Sequence, residues 1–165
     1  LILKIQFTKR KNGSALLKCI RSDDSTTWQR QDGDCAAFFP FHDLTHYAVE
    51  TELGFSRGFY GLIAAGWEIA DTTGKGTRRP LPHEAVEVEY IVGALGAERA
   101  GGAISTAEEF NQLAAAFASA RGMPSPRVLT DEELARVRAR IDEFFVRWRT
   151  LQPGATLELV FPPPL

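Results

Sequence analysis

The strongest chemical signal in this chain is the run His42-Asp43-Leu44-Thr45-His46, which holds two of its three histidines. On a helix, His42, His46, Val49 and Leu53 fall within one narrow arc, with Asp43 and Glu50 on its flank. Residues four apart are about 5–6 Å from each other, a separation at which two imidazoles can converge on one divalent ion. Burying two polar rings in an apolar stripe costs free energy unless each finds a partner, and a metal with a carboxylate would satisfy both. Asp43, Glu50, Glu68 and Asp71 are the carboxylates near enough in sequence to serve. The metal set expected is thus His42 and His46 with one of these carboxylates around a divalent ion. The competing reading makes both histidines structural, one solvated and one hydrogen-bonded in the core, in a non-enzymatic interaction or scaffold protein.

Other residues offer weaker chemistry. His83 and Glu87 share a face of a later helix and would add ligands if that helix packs beside the pair. Cys35 lies close in sequence to both histidines, but no cysteine-protease signature surrounds it. Gly74-Lys75-Gly76-Thr77-Arg78-Arg79 lacks the spacing of a phosphate-binding loop and reads as a basic connector. Phe38, Phe39, Phe41, Tyr47, Phe55, Phe59, Tyr60 and Trp67 gather around the His-Asp helix, as core or as the wall of an apolar pocket.

The elements that must position these groups follow from periodicity. Leu1, Leu3, Ile5 and Phe7 alternate as a strand, Asn12-Gly13 suits a tight hairpin turn with positive φ at both residues, and strands at about 15–21 and 26–31 complete a meander. A helix spans about Pro40 to Leu53, stopped by Gly54. Ser56 can cap a second helix to about Ala70, packed antiparallel on the first, and a third runs from about Pro82 to Leu95. Ser105 with Glu108 and Thr130 with Glu133 form capping boxes for the fourth and fifth. In the fifth, Leu134, Val137, Ile141, Phe144, Trp148 and Leu151 recur at spacings of three and four. Residues 155–161 alternate as a last strand able to rejoin the sheet, and the prolines 162–164 form a tail. The expected fold class is α+β: an N-terminal antiparallel sheet of about three strands plus a C-terminal one, packed with about five helices. Residues 1–165 read as a single domain, of strands (1–31), a helical part (40–151) and a final strand (155–161).

Composition narrows the function classes. With 44% hydrophobic and 24% charged residues the chain is of ordinary globular type. A net charge of −2 gives no global field for nucleic acid or an anionic membrane, although the first 31 residues are locally basic. No apolar run approaches the ~20 residues of a membrane span, and Cys19 and Cys35 lack paired-ligand spacing. These point to a soluble cytoplasmic protein with reduced thiols, whose partner is an unknown substrate or protein.

The His42-to-His46 run resembles the HExxH helix of zincin metallopeptidases, with Asp43 in place of Glu and an antiparallel sheet likewise preceding it. The resemblance covers His42 to Asp71. In the gluzincin branch a Glu about twenty residues beyond the second His is the third ligand, and Glu68, followed by Asp71, stands close to that place. The resemblance implies a zinc-dependent hydrolase with His42, His46 and Glu68 as ligands and Asp43 as general base, one methylene shorter than the usual Glu. The run is also similar to the HDxxH motif of a metal-binding family that supports ubiquinone biosynthesis. Twelve residues beyond His46, where that family has a Glu ligand, this chain has Gly58, so Glu50 or Glu68 would substitute.

Overall fold

The structure is a computed structural model describing residues 1–78 and 80–163. Arg79, the end of the expected basic loop, and Pro164 of the expected tail lie outside the described residues. Strands β1 (Leu3–Lys9), β2 (Ala15–Arg21), β3 (Thr26–Arg30) and β4 (Thr156–Phe161) form one antiparallel sheet in the order β3-β2-β1-β4. Register follows the alternation: Ile5 lies between Cys19 and Leu159, Phe7 between Leu17 and Leu157, and all six are buried on one face. The β1–β2 turn differs from expectation in one respect. Only Gly13 takes positive φ, +80°, because the loop is longer than two residues. The Gly13 N–H bonds back to the Arg10 carbonyl, and Asn12 accepts from the Ser14 N–H.

Among the described residues six helices follow, α1 (Phe39–Leu53), α2 (Phe59–Ala64), α3 (Ile69–Thr72), α4 (His83–Gly101), α5 (Ala107–Ser119) and α6 (Asp131–Thr150), of which four are substantial. Helix α1 is central. Pro40 opens it, Gly54 closes it in the left-handed conformation, and every residue from Asp43 to Glu50 is buried. It packs against α6, where Tyr47 meets Phe144 and Phe41 meets Phe145, and against α4. A helix enclosed on several faces buries polar side chains along with apolar ones.

The expected second helix is two short pieces. Ser56 does not cap it; the Ser56 and Arg57 N–H groups donate to Glu84 at the start of α4. Gly66, at φ +98°, then turns the Trp67 N–H back to the Leu62 carbonyl, and Glu68 is extended. No continuous helix therefore carries Glu68 and Asp71 along α1. The cap of α5 also shifts by one residue, to Thr106 with Glu109, because the Ser105 N–H and hydroxyl both donate to Glu98. The cap of α6, Thr130 with Glu133, is as expected. Among the described residues no helix is long and apolar enough to cross a membrane.

Candidate metal centre

The two imidazoles do converge. The rings of His42 and His46 stand 4.9 Å apart at 73°, steadied by Phe38 against the first and Phe59 against the second. The third member of the group is Glu89, carried by α4. His42, His46 and Glu89 each offer a ligand atom, all within 4.8 Å of one another, a group that can hold a metal ion. His46 Nε2 lies 3.2 Å from Glu89 Oε1. Tetrahedral donors about 2 Å from a zinc ion are about 3.3 Å apart, so small side-chain rotations would close the set.

Glu50 occupies the other edge of the His46 ring. Its Oε1 is 3.6 Å from Nδ1, just beyond hydrogen-bond length, and Nδ1 is the one buried side-chain polar atom without a partner among the described residues. Glu50 is fully buried and its carboxylate accepts from the Tyr60 and Gly61 N–H groups. Gly58 makes the room: a Cβ there would lie 2.5 Å from the Glu50 carboxyl carbon. A side chain at position 58 would thus require the Glu50 carboxylate to shift.

Asp43 lines the same cleft as the two histidines and Glu89, a space of about 800 Å³ bounded by β3, α1, the 72–75 segment and α4. Its Oδ2 accepts from Gln31 Nε2 at 2.6 Å, and Gln31 in turn accepts from the Ala15 N–H, so the sheet orients this carboxyl group. The Tyr60 hydroxyl fixes the backbone beneath by donating to the Asp43 carbonyl. Glu68 lies elsewhere, 3.2 Å from the Arg21 guanidinium, which also bonds the Ile63 and Trp67 carbonyls. Asp71 accepts from the Glu68, Thr77 and Arg78 N–H groups. Two amides of the basic loop are thereby committed to a carboxylate of this chain rather than free for a phosphate. His83 is exposed at the start of α4, and Glu87 accepts from the Arg127 N–H. Cys35 is exposed; Cys19 is buried, which pushes its thiol up to about 12.

This chain matches no protein-family model, no curated protein and no solved structure. The likeness of the His-Asp run to the two metal families therefore stays local, and the centre rests on its own geometry.

Glu89 escaped the sequence reading although its helix was considered. It lies four residues after Ala85 and three before Val92, on the margin of the buried stripe of α4. That position marks a carboxylate able to turn inward, but periodicity cannot say which margin meets α1.

The electrostatics are asymmetric. Burial and the neighbouring His46 push His42 down to about 4, so its imidazole is neutral at physiological pH. Burial alone would lower His46 as well, but Glu89 and Glu50 outweigh it and raise the imidazole to about 10. Glu89 is held below the usual range: partial desolvation of its half-exposed carboxylate is outweighed by the His46 charge and hydrogen bond, which favour the ionised form. Without metal, His46 is an imidazolium between two acids. Its contribution to stability is present in full below pH 6.5 and is lost as pH rises through 10. Metal binding runs the other way, because the ion must displace the His46 proton. Between pH 7 and 8.5 the apparent Zn²⁺ affinity is expected to climb about tenfold per pH unit, with about one proton released per ion. Calorimetry in buffers of different ionisation enthalpy measures this directly. A flat profile above pH 7.5 would mean that His46 is not the proton-bearing ligand.

Proposed function

We propose that His42, His46 and Glu89 bind a divalent cation, zinc first, and that the protein is a metal-dependent hydrolase acting on a molecule held in the adjoining cleft. The observation that carries this reading is the setting of His46, with Nε2 3.2 Å from Glu89 and the unpartnered Nδ1 facing buried Glu50. A ligating imidazole usually presents one nitrogen to the metal while a carboxylate orients the other, and Glu50 has that relation to His46. Two imidazoles and one carboxylate, with the next coordination position toward a cleft, form a donor set of catalytic rather than structural zinc. Such an ion supplies a Lewis acid and a more acidic water. Within this reading Asp43 is the acid-base group. Burial raises its carboxyl to about 7 against the opposing pull of His46 and the Gln31 hydrogen bond, and Gln31 sets its direction.

A second reading has a specific observation of its own. The His46 imidazolium between Glu50 and Glu89 ties α1 to α4 without any metal, as a structural ion pair in a binding or scaffold protein. Metal analysis on protein purified without a His tag separates the two. The metal reading expects close to one equivalent of Zn²⁺ retained after dialysis, and less than a tenth of an equivalent even after Zn²⁺ addition refutes it. Asp43→Ala then tests the enzyme: hydrolysis of peptide or ester substrates should disappear while the metal is retained. If the wild type binds metal and hydrolyses nothing across those panels, the centre is a binding site alone.

A further inference from the structure

The cleft beside the centre has a charge pattern that bears on its occupant. Each carboxylate on its wall is already engaged: Asp32 with Arg10 and Arg30, Asp43 with Gln31, and Glu89 with His46. Two cations on the same wall are not. Lys75, from the segment after α3, and Arg121, just past α5, are exposed and form no ion pair among the described residues. They reach this one cleft from chain segments 46 residues apart in sequence. Much of the remaining wall is apolar or aromatic, from Phe39, Phe59, Leu81, Val86 and Tyr90. A space of about 800 Å³ is of the size that encloses a small organic molecule.

We propose that the cleft binds a small organic anion, with its phosphate or carboxylate group between Lys75 and Arg121 and its apolar body against the aromatic wall. The same cleft is lined by His42, His46 and Glu89, so the inference rests on the metal reading for the chemistry but not for the binding. A cationic ligand would meet two unneutralised cations, and a neutral one would leave both without a counter-charge. Two unpaired charges of one sign at the wall of a cleft focus their field on an opposite ligand more than the same charges on a convex surface. Both side chains are exposed, so their replacement leaves the core intact.

The test compares phenyl phosphate, benzoate and the neutral benzyl alcohol on Zn²⁺-treated wild type and on the K75E/R121E double variant, by ligand-observed NMR titration at low salt. Phenyl phosphate or benzoate should bind the wild type at least about tenfold more tightly than benzyl alcohol. The double variant should lose that preference while benzyl alcohol binding and the thermal midpoint stay unchanged, and added salt should mimic the variant. Which anion binds better distinguishes a phosphate from a carboxylate substrate. Equal anion binding by wild type and variant overturns the proposal even if both take up one equivalent of Zn²⁺, as does the lack of any anion preference in the wild type. If no Zn²⁺ is taken up and the charge-dependent preference persists, the metal reading falls and the anion site stands.

Discussion

Glu89→Gln is expected to weaken Zn²⁺ binding at least about a hundredfold without unfolding the protein, whereas Glu68→Gln leaves the affinity within about threefold of wild type. Loss of a group that merely orients a ligand typically costs 10–100-fold, and Glu89 is proposed as a ligand itself. Its side chain is about half exposed, so the amide, of equal size, is accommodated without a buried penalty. One effect opposes the loss. With Glu89 neutral the main group raising His46 is gone, the imidazole gives up its proton more readily, and part of the proton competition is relieved. The lost anionic donor dominates at neutral pH, and the pH slope of the remaining affinity should flatten. Competition against a chromogenic chelator reads both variants. Equal affinities for Glu89→Gln and wild type would remove Glu89 from the site, and a large loss in Glu68→Gln would require that Glu68 leave Arg21 to reach the metal.

Gly61→Ala is expected to cost about 3 kcal/mol, at the upper end of what over-packing usually costs. A Cβ at this position would lie 1.9 Å from the Ser56 carbonyl oxygen. That obstacle is backbone rather than the end of a flexible side chain, so α2 or the turn before it must move. The same helix start holds Glu50 through the Tyr60 and Gly61 N–H groups, so movement there also releases the carboxylate behind His46. A fall in melting temperature of roughly 6–12 °C corresponds to this cost for a chain of this size. Weaker Zn²⁺ binding should accompany it. Gly96→Ala, in the middle of α4 with open space around its missing Cβ, is the matched control. There the better helix propensity of Ala should raise stability by up to about 1 kcal/mol. A Gly61→Ala protein that melts with the wild type would show that the Ser56 carbonyl is not fixed against α2.

The parts of this protein legible from residues alone are those set by local periodicity. Alternation in 3–7 and 157–161 gives each strand one buried face, and a single register satisfies all these faces together, so the C-terminal strand joins the N-terminal ones. Pro40 and Gly54 bound α1, and the four-residue spacing of His42 and His46 brings their rings together whatever surrounds them. Tertiary structure alone decided what completes the pair. Glu68 and Glu89 are both acids downstream of His46, and spacing, through the gluzincin resemblance, favoured Glu68, the one that packing takes away from the pair. The choice follows from Gly66 breaking the expected second helix and from the packing of α4 on α1, a contact between elements far apart in sequence. Glu50 reads in the sequence as a flank residue of an amphipathic helix. Because Gly58 leaves its place empty and α2 offers two amides, a buried carboxylate is held there behind His46. Periodicity is a property of one segment, whereas a site is made where segments meet, and the free energy of that meeting is shared among residues that no local pattern connects.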